Sequence, residues 1–249
     1  MTSIVVETLS STNSDHQFRL LRSEFEQRLT KIDHYFTELT QSNEFSGSLL
    51  ISKCGHILLS KGYGSSDYTQ QTKNTSKTMY RIGSLSKQFT SFIILKLHEQ
   101  HLLNIDKDFL SAYLPEYPHS NKIRLKMLLN HTSGITDYTE LPQFESECVS
   151  KTYKLDELIR LFSHCPLDFE PGTKFHYSNS NYILLGAIIH SISPSKTFEE
   201  LLNEYILKPL NMNNTIYECN DDRECVVSNN THQIAKGRSL SFSKHEQML

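Results

Sequence analysis

The stretch Arg81-Ile82-Gly83-Ser84-Leu85-Ser86-Lys87-Gln88-Phe89-Thr90-Ser91-Phe92-Ile93-Ile94-Leu95-Lys96-Leu97 decides how this chain is read. A turn-forming Gly83 leads into a segment whose Leu85, Phe89, Phe92, Ile93, Ile94, Leu95 and Leu97 occupy most of a helical circumference. The pattern predicts a helix buried on nearly every side. Ser84 and Lys87 stand at i and i+3 at its start, on one face. An amine held there is desolvated and sits at the positive end of the helix. Both effects lower its pKa, so that it can take a proton from a neighbouring hydroxyl. The same helix terminus stabilises negative charge developing on an acylated carbonyl.

Spacing alone is weak evidence. With 31 Ser and 17 Lys in 249 residues, about two S-x-x-K matches are expected by chance, and the chain has three. Ser193–Lys196 surrounds Pro194 in a connecting loop, and Ser241–Lys244 lies in a polar tail. Only Ser84 enters a long apolar helix. On pattern alone a plainer reading stays open, in which Ser84 caps the helix and Lys87 is solvated.

The second candidate lies downstream. Tyr177-Ser178-Asn179 follows the turn Pro171-Gly172 and precedes an apolar helix carrying Ile183, Leu184, Leu185, Ile188 and Ile189. A phenol beside an ammonium loses its proton more easily and can act as a general base, while an Asn amide can bind a substrate carbonyl. Taken alone, the motif also fits a half-buried Tyr followed by an Asn helix cap.

Around these segments the chain reads as follows. Residues 1–15 are Ser/Thr-rich and are expected to be a loose, disordered tail. From Phe18, the positions Leu21, Phe25, Leu29, Ile32, Phe36 and Leu39 recur every three or four residues, predicting an amphipathic helix of about six turns. Phe45 to Ser52 and His56 to Tyr63 read as a hairpin turning at Lys53-Cys54-Gly55, and Ser65 to Thr78 as a surface loop. Further helices are expected near 124–130, 155–163, 181–192 and 198–207. The last opens with a Thr197/Glu200 capping box and stops before Pro209. A main domain over 16–217 is followed by a polar tail, 218–249.

Composition removes several classes. The net charge of −3 and a pI near 6.5 leave no basic footprint for nucleic acid. No apolar run approaches the roughly 18 residues of a membrane span. The start lacks the basic n-region and apolar stretch of a signal peptide, so a cytoplasmic location is expected. Five scattered cysteines without a CxxC pair read as reduced thiols. His98-Glu99-Gln100-His101 spaces its histidines at i, i+3 rather than as H-E-x-x-H, so no metal is expected. Neither Gly-rich phosphate motif occurs, and no cofactor is expected.

Taken together, the motifs resemble the serine β-lactamase and penicillin-binding-protein family, in its class C, esterase-like branch. Met79 to Thr90 is similar to that family's nucleophile segment, and Pro171-Gly172-Thr173-Lys174-Phe175-His176-Tyr177-Ser178-Asn179-Ser180-Asn181-Tyr182 to its second catalytic segment. Leu103-Asn104-Ile105-Asp106, Tyr113-Leu114-Pro115, Met127 to Ile135 and Leu207-Lys208-Pro209-Leu210-Asn211-Met212 match its punctuation in order. The resemblance runs from about residue 44 to 217. It implies an α/β (α+β) fold of β-lactamase/transpeptidase type, with an N-terminal helix and β-hairpin plus a mostly helical subdomain. It also implies Ser84 as acylated nucleophile, Lys87 as its activator, Tyr177 as general base and Asn179 as ligand to a substrate amide. Substrates would be esters, D-Ala-D-Ala peptides or β-lactams, small molecules or peptides, and no metal would be required.

One family feature is missing. The third motif, Lys/His-x-Gly on a strand after the helical subdomain, does not occur after Asn179. Lys53-Cys54-Gly55 fits the pattern but lies in the N-terminal hairpin turn. The expectation is a chain truncated at its C-terminus, lacking most strands of the family sheet and one oxyanion donor. Two outcomes stay open: a working enzyme, through residual activity or with a partner chain completing the sheet, or a catalytically impaired remnant or binding protein.

Overall fold

The computed structural model describes residues 11–67, 71–142, 144 and 153–217. Among these the chain forms two compact units, one running to Arg81 and the other beginning at Ile82.

The first unit joins a helix to two small antiparallel ribbons. Helix α1 (Ser11–Gln41) is longer than its apolar stripe, because no Gly or Pro between Ser11 and Phe18 interrupts it. Residues 11–15 therefore belong to the helix rather than to a loose tail, while residues 1–10 lie outside the described residues. Strands β1 (Gly47–Lys53) and β2 (His56–Tyr63) pair antiparallel as the sequence predicts. They turn through Cys54 and Gly55, whose positive φ values of 52° and 77° are those of a tight hairpin turn. The helix meets β2 through an aromatic group, with Phe36 4.8 Å from Phe45 and 5.6 Å from Tyr63 between ring centroids. Asp33 fastens the same contact, its Oδ1 accepting from Lys61 Nζ at 2.6 Å and from Tyr63 Oη at 2.7 Å. These donors hold the Asp33 carboxyl below its ordinary range, while burial and the neighbouring carboxylate push the Tyr63 phenol up to about 12.

The expected loop at 65–78 contains structure. Strands β3 (Ser65–Asp67) and β4 (Thr72–Lys73) form a second antiparallel ribbon. At three and two residues they are too short for alternation to be visible in sequence.

The second unit is helical and carries the core. After a 3₁₀ turn (Gly83–Ser86) come α2 (Lys87–Glu99), α3 (Leu125–Leu129), α4 (Leu155–Ser163), α5 (Asn179–Ile192) and α6 (Phe198–Leu202). The expected capping box is present: Thr197 Oγ1 accepts from the Glu200 N–H, and Glu200 Oε2 from the Thr197 N–H. Helix α6 then widens into a π-helical turn (Asn203–Leu207) instead of continuing as α-helix to 207. Ile93, Ile94 and Leu97 of α2, Leu125 and Leu128 of α3, Phe162 of α4 and Leu184, Leu185, Ile188 and Ile189 of α5 form one fully buried cluster. Helix α5 lies at its centre, buried along most of its length.

Helix α2 departs from expectation. Leu85 in the 3₁₀ turn and Phe92 and Leu95 on the helix are 65 %, 46 % and 47 % exposed. The helix is as apolar as its sequence indicates, but only one side of it meets the core. No helix among the described residues is long and apolar enough to cross a membrane.

Candidate active site

Gly83 sets the entry to the site. Its φ of +51° is one that L side chains rarely adopt, and it turns the chain into the 3₁₀ helix carrying Ser84. Ser84 is exposed, whereas Lys87, one turn on, is 8 % exposed. The i, i+3 geometry is realised: Lys87 Nζ donates to Ser84 Oγ at 3.1 Å. The Tyr177 hydroxyl lies 2.8 Å from the same oxygen. Lys87 Nζ also donates to Asn179 Oδ1 at 2.8 Å, and it stands 5.0 Å from the Tyr177 ring centre and 5.6 Å from that of Tyr182. All four residues singled out in the sequence therefore converge within the second unit. The alternative of a solvated Lys87 is not what the structure contains.

The first turn of α5 explains how the second segment reaches the first. Asn179, Ser180 and Asn181 are 9 %, 0 % and 0 % exposed, an unusual place for three polar side chains. Each is stitched to the segment 131–139. Ser180 Oγ donates to the Thr136 carbonyl at 2.7 Å and accepts from the Tyr138 N–H at 2.9 Å. Asn181 Oδ1 accepts from Ser133 Oγ at 2.6 Å. Asn179 Nδ2 donates to Asp137 Oδ2 at 3.0 Å and to Thr139 Oγ1 at 3.3 Å. Polar groups buried this completely are tolerated because they are paired, and the pairing fixes α5 in one position.

His131 supports the phenol. Its ring lies 4.4 Å from that of Tyr177 and 5.3 Å from that of Tyr182, tilted by 31° and 34°. Nδ1 accepts from the Ser178 N–H at 3.2 Å and from Asn181 Nδ2 at 3.3 Å, which places the proton of the neutral ring on Nε2. Burial first, and the Lys87 charge second, lower the His131 pKa and keep the ring neutral. Gly134 lets this segment run close to its neighbour, for a Cβ there would lie 2.2 Å from the Phe169 carbonyl oxygen, and its φ is +77°. His131, Asp137 and Thr139 were not singled out in the sequence. The only local signal was the run of small and polar residues from 130 to 139 between two helical patterns. Among the described residues no group of three or more His, Cys, Asp or Glu side chains is placed to hold a metal.

Comparison with known proteins identifies the family. Residues 32–224 match the family described as Beta-lactamase, and the chain belongs to that family of β-lactamase-like serine hydrolases, with their β-lactamase/transpeptidase-like fold. It is 34 % identical over 211 residues to protein Flp of Staphylococcus aureus (strain MRSA252), covering 82 % of this chain and 40 % of Flp. It is 35 % identical over 188 residues to the teichoic acid D-alanine hydrolase of Staphylococcus aureus, covering 75 % of this chain and 44 % of that protein. The solved penicillin binding protein from Bacillus halodurans superposes with a TM-score of 0.66 at 30 % identity, over 76 % of this chain and 56 % of that one. The chain thus spans less than half the length of these curated relatives.

Proposed function

We propose that the chain hydrolyses acyl compounds through an ester formed on Ser84. The observation that carries this reading is the pair of contacts at Ser84 Oγ, 3.1 Å from Lys87 Nζ and 2.8 Å from the Tyr177 hydroxyl. Lys87 donates to Ser84 Oγ, and with Tyr177 acting as the phenolate its oxygen only accepts, so the serine's own hydrogen is directed at it. The phenolate of Tyr177, opposite the Lys87 ammonium, takes that proton as Ser84 Oγ attacks the carbonyl carbon, and becomes the neutral phenol. Tyr177 then returns the proton to the departing alcohol or amine. A water molecule completes the cycle by the same route in reverse, releasing the acid and the free serine. The helix start beneath Ser84 favours the negative charge of the tetrahedral stage.

The substrate class we infer is an ester or amide of a D-amino acid, with D-alanyl esters first and D-Ala-D-Ala peptides and β-lactams as related acyl donors. The name of the teichoic acid D-alanine hydrolase supports this choice, as does a nucleophile open to solvent, from which a large alcohol could leave.

The test is intact-mass spectrometry of the chain after exposure to a fluorophosphonate and, separately, to a penicillin, with peptide mapping and a Ser84→Ala control. A stoichiometric adduct on Ser84 that disappears in the variant is expected. A folded chain that takes up neither reagent would overturn the reading in favour of a binding role.

A further inference from the structure

We propose that Asp137 is a positioning residue for this site: its buried carboxylate decides which way the Asn179 amide faces and so keeps an oxygen against Lys87. The inference rests on the reading of Ser84 and Lys87 given above. The two ends of an Asn amide have nearly the same shape, so something must select the orientation in which oxygen meets Lys87. Asp137, 3 % exposed, supplies the selection. An ionised carboxylate only accepts. Its Oδ1 accepts from the Thr139 N–H at 3.1 Å and its Oδ2 from Asn179 Nδ2 at 3.0 Å. The NH₂ end of Asn179 is thereby committed, and Oδ1 is left to accept from Lys87 Nζ at 2.8 Å. With Lys87 and Asn179 also buried, water is a poor substitute for any of these partners.

The amide also lies between opposite charges in the direction that favours both, its oxygen toward the ammonium and its NH₂ toward the carboxylate. The other groups facing Lys87 are the rings of Tyr177 and Tyr182, the Ser84 hydroxyl and the neutral His131. Asp137 is the one negative charge joined to Lys87 through this chain of bonds.

An amide at 137 has one acceptor for two donors. Asp137→Asn therefore leaves either Thr139 N–H or Asn179 Nδ2 unpaired, or turns Asn179 so that its NH₂ opposes Lys87. The double variant Asp137→Asn/Asn179→Asp restores these bonds, with only the one between 137 and 179 reversed in direction. The new amide at 137 accepts from Thr139 N–H and donates to the new carboxylate at 179, whose other oxygen receives Lys87.

The experiment follows the second-order rate of fluorophosphonate labelling of Ser84 against pH for the wild type, both single variants and the double variant. Asp137→Asn should slow labelling about tenfold or more and move the pH profile to lower pH, since Lys87 loses a favourable negative charge. The double variant should recover most of the rate and move the profile to higher pH, the carboxylate now lying against Lys87. A wild-type rate and profile in Asp137→Asn would overturn the proposal, as would a folded double variant no faster than the better of its parents. Should Asp137→Asn fail to fold, the double variant is compared with Asn179→Asp alone, and the proposal falls if it is no faster. If the wild type is not labelled at all, the hydrolase reading fails and this one is judged by NMR titration of the Lys87 side chain. A lower Lys87 pKa in Asp137→Asn supports the positioning role, and an unchanged one ends it.

Discussion

The Tyr177 hydroxyl lies 2.8 Å from Ser84 Oγ across a sequence separation of 93 residues. Neither segment fixes that distance by itself. Ser84 and Lys87 are set by the start of α2, while Tyr177 precedes α5 and is held by the first turn of that helix. The distance is a consequence of α2 and α5 sharing the buried cluster that contains Ile93, Ile94, Leu184 and Leu185.

Removing only the hydroxyl tests the role given to it. Tyr177→Phe keeps the ring stacked on His131 and beside Lys87 but leaves the Ser84 proton without its acceptor. Labelling of Ser84 should fall by about 10²–10⁴-fold, the range for loss of a general base. The thermal midpoint should hardly change, because the hydroxyl is at the solvent edge and the stacked ring is retained. Comparing labelling rates with midpoints separates the chemical effect from a structural one.

His131 gives the fold a dependence on pH whose sign follows from its environment. Its pKa is lowered below the ordinary value of 6.5, so between the two values the unfolded chain binds the extra proton and the folded chain does not. The contribution is present in full above 6.5 and is lost as pH falls from there through the folded pKa. Thermal midpoints should decline on acidification below 6.5. In His131→Gln the decline should be shallower, although the midpoint at neutral pH is lower for want of the stacking contacts. A parallel pair of curves would contradict this assignment.

Ser133 offers a test of the buried stitching that carries no chemistry. Its hydroxyl donates to Asn181 Oδ1 at 2.6 Å and accepts from the Ile135 N–H at 3.1 Å. Ser133→Ala leaves both partners buried and unpaired, a loss of about 1–3 kcal/mol. Urea unfolding should show a lower midpoint with an unchanged slope, since the surface exposed on unfolding is the same.

How much of this was legible in the sequence depended on the range of the interaction. The hairpin turn at Cys54-Gly55, the Thr197 capping box and the four converging residues Ser84, Lys87, Tyr177 and Asn179 were all readable. They are local patterns, or local patterns joined by a family resemblance. The exposed side of α2 was not, because periodicity counts apolar residues without saying which of them meet a neighbour. Asp137 and His131 were missed for a related reason. Their partners Asn179 and Tyr177 lie more than forty residues away, and a lone Asp or His in a polar connection has no spacing to betray it. The ribbon of β3 and β4 falls below the length at which any pattern can be seen.

The dependence of the site on two distant helices has a temporal side. During synthesis α2 is complete long before α5 exists, so a nascent chain presents Ser84 with its lysine but without its phenol or the amide behind it. On the function proposed for Ser84, the serine gains its reactivity only when α5 has docked. A half-made or misfolded copy would then be chemically silent, and uptake of an acylating reagent at Ser84 would read out directly whether the helical unit has reached its native packing.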